Sequence, residues 1–132
     1  MSVANQYNLN FYIWTLSDGV TVKPSIGVSL INGSTKNHEI ASFLEPNGIR
    51  LTQEIIDDIN SLNLDLNLPF EDYNIWGGNQ DESVEIKSPP FRAVFNTTGN
   101  PVEIPIADFL QILQEWKFFL QDIPNPHWLS NR

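Results

Sequence analysis

The stretch IPIADFLQILQEWKFFLQDIP, residues 104–124, constrains the fold more than any other part of the chain. At about 100° per residue, Ile106, Phe109, Leu110, Ile112, Leu113, Trp116, Phe119, Leu120 and Ile123 fill one contiguous arc of roughly 180°. So broad an apolar arc predicts a helix lying across a sheet. Pro105 suits the entry to that helix, where its missing N–H would have no intrahelical acceptor, and Pro124 and Pro126 stop it. The opposite side collects Asp108, Gln111, Gln114, Glu115, Gln121 and Asp122, and among them stands Phe118. A phenylalanine on the polar side is hard to reconcile with the core, so its position predicts a surface contact.

The remaining segments supply the sheet. Residues 7–16 (YNLNFYIWTL) are dense in aromatic and β-branched side chains, which predicts a strand with at least one buried face. Asp18-Gly19 offers a turn, and Ile26, Val28 and Leu30 recur at period two in a second strand that ends at Asn32-Gly33. His38–Leu44 reads as a third strand pairing back across that turn, with a short helical turn as the alternative. Thr52 is a plausible N-cap for a short amphipathic helix over 53–62, with Ile55, Ile56, Ile59 and Leu62 inward and Glu54, Asp57 and Asp58 outward. Leu64, Leu66 and Leu68 alternate, and an acidic loop with Phe70, Tyr73 and Trp76 follows, its Gly77-Gly78 pair allowing sharp bends. Residues 84–87 and 91–95 look like two strands around Ser-Pro-Pro, and Thr98-Gly99-Asn100 turns the chain into a last short strand at 102–104. The expected architecture is one α+β domain over residues 1–132: a mainly antiparallel sheet, a short middle helix, and the long amphipathic C-terminal helix packed on the sheet.

Several function classes are disfavoured by what the chain lacks. With no cysteine there is no disulfide, thiolate zinc site or cysteine nucleophile, and a reducing compartment is the simpler assumption. Residues 1–10 lack the basic start and apolar run of a signal peptide, and no apolar run reaches the roughly 20 residues of a membrane span, so a cytoplasmic location is expected. Only His38 and His127 could serve as nitrogen ligands, and neither has a second His at ligand spacing; no metal and no cofactor are expected. Ser17, Asp18 and His127 lack the framing of a catalytic triad, and no glycine loop cradles a phosphate. A small hydrolase built on a carboxylate pair stays open as the lesser alternative.

Charge is the more informative signal. The chain carries 16 acids against 7 bases, a net charge of −9, which disfavours nucleic acid and anionic membranes and favours a basic protein partner. Between Arg50 and Lys87 there are nine acids and no Lys or Arg: Glu54, Asp57, Asp58, Asp65, Glu71, Asp72, Asp81, Glu82 and Glu85. Interspersed aromatics make that stretch the candidate interface, since aromatic side chains anchor and carboxylates steer a basic partner. The expected partner-binding residues are Asp65, Glu71, Asp72, Tyr73, Trp76, Asp81, Glu82 and Glu85, with Phe118 on the helix as a ninth. Glu71, Asp72, Asp81 and Glu82 would stand in for phosphates, and Tyr73 and Trp76 would anchor. The alternative is that Phe70 and Trp76 fold into the core and only the acids are wet.

The C-terminal unit VEIKSPPFRAVFNTTGNPVEIPIADFLQILQEWKFFL resembles the small acidic immunity proteins of bacterial polymorphic-toxin and contact-dependent growth-inhibition systems. The shared features are strands leading through a short Ile-Pro entry into an apolar helix with a Glu-Trp-Lys centre. That resemblance implies a non-enzymatic antitoxin that binds a cognate toxin domain, often a nuclease, and covers its active site. A nuclease needs a basic groove to hold phosphates, so an acidic inhibitor could occupy it. A DNA-mimicking inhibitor of a nucleic-acid-binding protein shares the acidity and stays open as the second reading.

Overall fold

The long helix is the element around which the others are placed. In the computed structural model, which describes residues 2–15, 17–19, 22–29, 37–62, 72–78, 82–88, 91–96 and 101–123, Ile106–Gln121 form an unbroken α-helix, α4. Its Ile106, Phe109, Ile112, Leu113, Trp116 and Leu120 are buried, while Leu110, Phe119 and Ile123 flank them half-buried, which is the arc expected from the sequence. Each fully buried large apolar side chain contributes roughly 1.5–3 kcal/mol of gross transfer free energy. Pro105 occupies the N-cap position, one residue outside the helix.

Before α4 the chain runs α1 (Val3–Gln6), β1 (Leu9–Thr15), β2 (Val22–Val28), α2 (His38–Leu44), α3 (Ile49–Ser61), β3 (Tyr73–Trp76), β4 (Ser83–Lys87), β5 (Arg92–Phe95) and β6 (Val102–Pro105). The fold is α+β, with antiparallel sheets and α4 packed on the larger one. Strands β3-β4-β5-β6 form a four-stranded meander, and β1-β2 form a separate two-stranded ribbon. On the meander's inner face Ile75, Val84, Ile86, Ala93, Phe95 and Ile104 are buried, alternating with wet residues at the period of two that a one-sided sheet requires. Phe95 of β5 meets Phe109 of α4 edge-on at 5.2 Å, and Phe43 of α2 closes the triangle at 6.0 and 6.1 Å.

A buried asparagine ties the layers together. Asn47, just after α2, donates from Nδ2 to the Phe43 carbonyl (3.0 Å) and accepts the Gly78 N–H on Oδ1 (2.6 Å), and its own carbonyl accepts the Trp116 indole N–H (2.7 Å). The turn after β3 is thereby drawn against the end of α2. A Cβ at Gly78 would lie 2.6 Å from the Pro46 carbonyl oxygen, so this glycine is required by close approach of two backbones, not by a sharp bend.

Four sequence expectations are corrected. His38–Leu44 is the helix α2, not a strand: Ile40, Phe43 and Leu44 are buried together, a helical spacing, and β2 pairs only with β1. Helix α3 begins one turn earlier than Thr52, with Gly48 at the N-cap, and Thr52 is a buried residue inside it whose Oγ1 has no hydrogen-bond partner. Tyr73–Trp76 is a strand rather than a loop, because its backbone pairs with β4 from Tyr73↔Ile86 to Trp76↔Ser83. Finally, β1 buries only Leu9 and half-buries Phe11, which packs on Trp116 and Phe119; beyond it Tyr12, Ile13 and Trp14 are exposed. The buried part of the ribbon lies on β2, whose Pro24, Ser25 and Ile26 pair with Ile13, Tyr12 and Phe11, so the aromatic density of β1 does not translate into a buried face. Asp18-Gly19 does turn the ribbon, Gly19 taking a φ of +74° that suits glycine. The expected turns at Asn32-Gly33 and Thr98-Gly99-Asn100, the alternation over Leu64–Leu68, and Phe70, His127 and the prolines after α4 lie outside the described residues.

Candidate acidic docking groove

A groove of about 580 Å³ runs between α3 and β3. Helix α3 contributes Leu51, Glu54, Ile55, Asp57 and Asp58, and β3 contributes all four of its residues, Tyr73, Asn74, Ile75 and Trp76. Successive residues of a strand point to opposite faces, so a groove touched by four in a row follows the strand's edge and not one of its faces. The placement follows from local sequence. Ile55, Ile56 and Ile59 turn one side of α3 into the core, and the 3.6-residue period then leaves Glu54, Asp57 and Asp58 on the wetter side. In β3 only Ile75 is buried.

The floor is apolar and the walls are acidic. Among the lining residues there are three carboxylates and no Lys or Arg. Glu54 pairs with Arg50 at 3.4 Å, a solvent-exposed i,i+4 pair of small worth. Asp57 accepts from the Gln53 amide at 2.8 Å, and Asp58 accepts from the Tyr73 hydroxyl at 3.1 Å. That hydrogen bond to Asp58, reinforced by the charge of the same carboxylate, pushes the Tyr73 hydroxyl above its ordinary value. The same hydrogen bond ties the Tyr73 ring of β3 to α3 across the groove. Trp76 is 57% exposed, which answers the question of whether it folds into the core. An indole so exposed beside carboxylates offers a face for a guanidinium or ammonium while the acids neutralise it.

The expected interface residues separate in three dimensions. Tyr73 and Trp76 line the groove; Asp72 is exposed directly before β3 and is not part of the lining. Glu85 lies on the outer sheet face, 3.3 Å from Lys87, near the Arg92–Glu103 pair at 3.1 Å, so that face balances its own charges. Glu82 does not serve as a surface phosphate mimic: it is 7% exposed, its Oε1 accepts from the Ser42 hydroxyl at 2.7 Å, and its Oε2 is buried without a partner. The start of β4 is pressed against α2 there, and tertiary packing overrides the usual exposure of a glutamate. Phe118 is 56% exposed on α4, as its helical position predicted, with the Lys117 ammonium 5.7 Å from its ring, and it does not reach the groove. Asp65, Glu71 and Asp81 lie outside the described residues.

Glu54, Asp57 and Asp58 are the site residues that sequence reasoning did not assign to the interface. Their outward position was legible from helical period, but their placement opposite Tyr73 and Trp76 is a long-range contact that no local pattern encodes. Among the described residues no helix is long and apolar enough to cross a membrane. Comparison of the chain with protein-family models, with curated proteins and with solved structures finds no match in any of the three.

Proposed function

We propose that this protein is a non-enzymatic binding domain, an immunity protein that captures a cognate bacterial toxin domain through the acidic groove between α3 and β3 and covers its active site. The observation that carries this reading is the juxtaposition of Glu54, Asp57 and Asp58 with the exposed Tyr73 and Trp76 in a groove whose lining holds no base. Exposed aromatics give a docking surface its anchors, and clustered surface carboxylates give it a fast, steered encounter with a basic surface. A nuclease toxin supplies such a surface in the cleft that holds its substrate's phosphates. The net charge of −9 repels nucleic acid itself and keeps the inhibitor from competing for the substrate. A cytoplasmic site of action, where the toxin would meet its target, accords with the absence of cysteine.

The test is to look directly upstream for a reading frame that encodes a large secreted protein with a variable C-terminal domain, and to co-express that domain with this chain. The expected outcome is rescue of growth, with a purified complex whose affinity falls steeply between about 50 and 200 mM salt. No rescue, or a complex indifferent to salt, would remove this reading.

A further inference from the structure

Strand β3 is one of the two edge strands of the meander, and among the described residues one side of its backbone pairs with no strand. In an antiparallel ladder the N–H and C=O groups of alternate residues point toward the neighbour and those of the residues between point away. The Gly77 N–H donates to the Glu82 carbonyl at 3.4 Å in the register that pairs Ile75 with Val84 and Tyr73 with Ile86. By that parity Asn74 and Trp76 direct their N–H and C=O groups away from β4, along the side where the groove runs. Among the described residues no strand pairs with them there.

From this we infer that the groove receives an extended, cationic segment of the partner, which adds to the meander as a further strand beside β3. The inference rests on the binding role proposed above and specifies how the groove is filled. The unpaired groups of Asn74 and Trp76 bond the incoming main chain, which gives affinity independent of its sequence. Its alternate side chains then point toward opposite sides. Those on one side face α3, where Glu54, Asp57 and Asp58 select Lys or Arg above an apolar floor of Leu51, Ile55 and Ile75. Those on the other side share the face of Asn74 and Trp76, which the period of two puts opposite Tyr73 and Ile75, and the exposed Trp76 ring there favours β-branched residues between the cations. A helical partner of equal charge could satisfy the carboxylates but not the strand edge.

Two peptides distinguish these cases: an N-acetylated, C-amidated octapeptide of alternating arginine and valine, and the same peptide with every backbone nitrogen of its eight residues methylated, which leaves neither edge able to donate. Both carry the same charge, but the second cannot pair as a strand. Strand addition predicts at least tenfold weaker binding of the methylated peptide. With the unmodified peptide it predicts slowed amide exchange at Asn74 and Trp76 and little change at Ile75, whose amide is already bonded. Equal binding of the two peptides, no binding of either, or unaltered exchange at Asn74 and Trp76 would overturn the inference. The co-expression test of the proposed immunity function is run in parallel. Toxin capture that persists alongside any of those outcomes leaves the immunity reading intact and removes only the strand, whereas loss of toxin capture removes the reading on which the strand rests.

Discussion

Two helices of this protein carry carboxylates on the side away from the core, and the two sets are put to different uses. On α4, Glu115 accepts the backbone N–H groups of Val3 (2.9 Å) and Ala4 (3.1 Å), while Asp108 accepts the Tyr7 hydroxyl at 2.5 Å. The first turn of a helix has N–H groups with no acceptor of their own, and Glu115 completes α1 by supplying both oxygens. On α3, Glu54, Asp57 and Asp58 meet only side chains that are themselves wet, and they wall a groove. The composition of the two sides is alike. What differs is the donor that reaches them: backbone N–H groups of α1 and the Tyr7 hydroxyl on α4, side chains alone on α3, so the acids of α4 complete another element while, in the reading proposed above, those of α3 meet a partner.

The sharpest way to break that contrast is to reverse the groove. Combined Glu54→Lys, Asp57→Lys and Asp58→Lys should weaken toxin capture on the order of 10³-fold, about 4 kcal/mol, and flatten its salt dependence. Stability to urea should change by under about 1 kcal/mol, because these side chains sit at the surface. A folded triple variant that still captures toxin would make the two helices equivalent.

The complementary change is Glu115→Ala, which strands the Val3 and Ala4 amides. Hydrogen bonds to a charged group contribute roughly 1.5–3 kcal/mol each when buried, and at this half-exposed position a combined loss of about 2 kcal/mol is expected. Urea unfolding measures the loss, and faster exchange of the Val3 and Ala4 amides locates it at the N-terminus. Toxin capture by the folded fraction should stay within about twofold.

How much of this was legible beforehand depended on the range of the contact. The arc of α4 is a local periodicity sustained over about four turns, and Phe118 stands out against it, so both its burial and that exposure could be read from spacing. Helix α2 could not, because seven residues with Ile, Phe and Leu satisfy a strand or a helix until a partner is chosen. The groove was half legible. Tyr73 and Trp76 were singled out by their acidic surroundings, but α3 and β3 are joined by Asp58 and Tyr73, 15 residues apart, across a segment without a decisive pattern. Glu82 was misjudged for the same reason: its destination is set by Ser42, 40 residues away.

The N-terminal clamp should also show in alkaline solution, where Tyr7, like Tyr73 in the groove, has its hydroxyl raised by a neighbouring carboxylate. Burial, and then the hydrogen bond and charge of Asp108, push the Tyr7 hydroxyl from 10.0 up to about 12. A pKa raised in the folded state favours the protonated phenol there, so its stabilising contribution is complete below pH 10 and is lost as the pH rises through about 12. Allowing for solvent screening at this half-exposed side chain, about 1 kcal/mol should disappear over that window. In Tyr7→Phe the corresponding part of the decline should be absent when unfolding free energy is followed from pH 9 upward. An unchanged slope would mean that the Tyr7–Asp108 contact does not persist in solution.

The smallest effect is expected at Phe118, where both helices' roles meet a third possibility. Its ring is exposed on α4, and the ammonium beside it, that of Lys117, already reaches across to the Gln53 side chain of α3 at 2.6 Å. Phe118→Ser removes apolar surface that the folded chain does not cover, and the two residues differ little in helix propensity, so stability should move by no more than about 0.5 kcal/mol. If the groove is the interface, toxin capture should be unaltered, because Phe118 is not among the residues that line it. A tenfold loss of capture by the folded variant would invert the contrast between the helices: α4 would then present the docking side, and the acids of α3 would be the solvated surface.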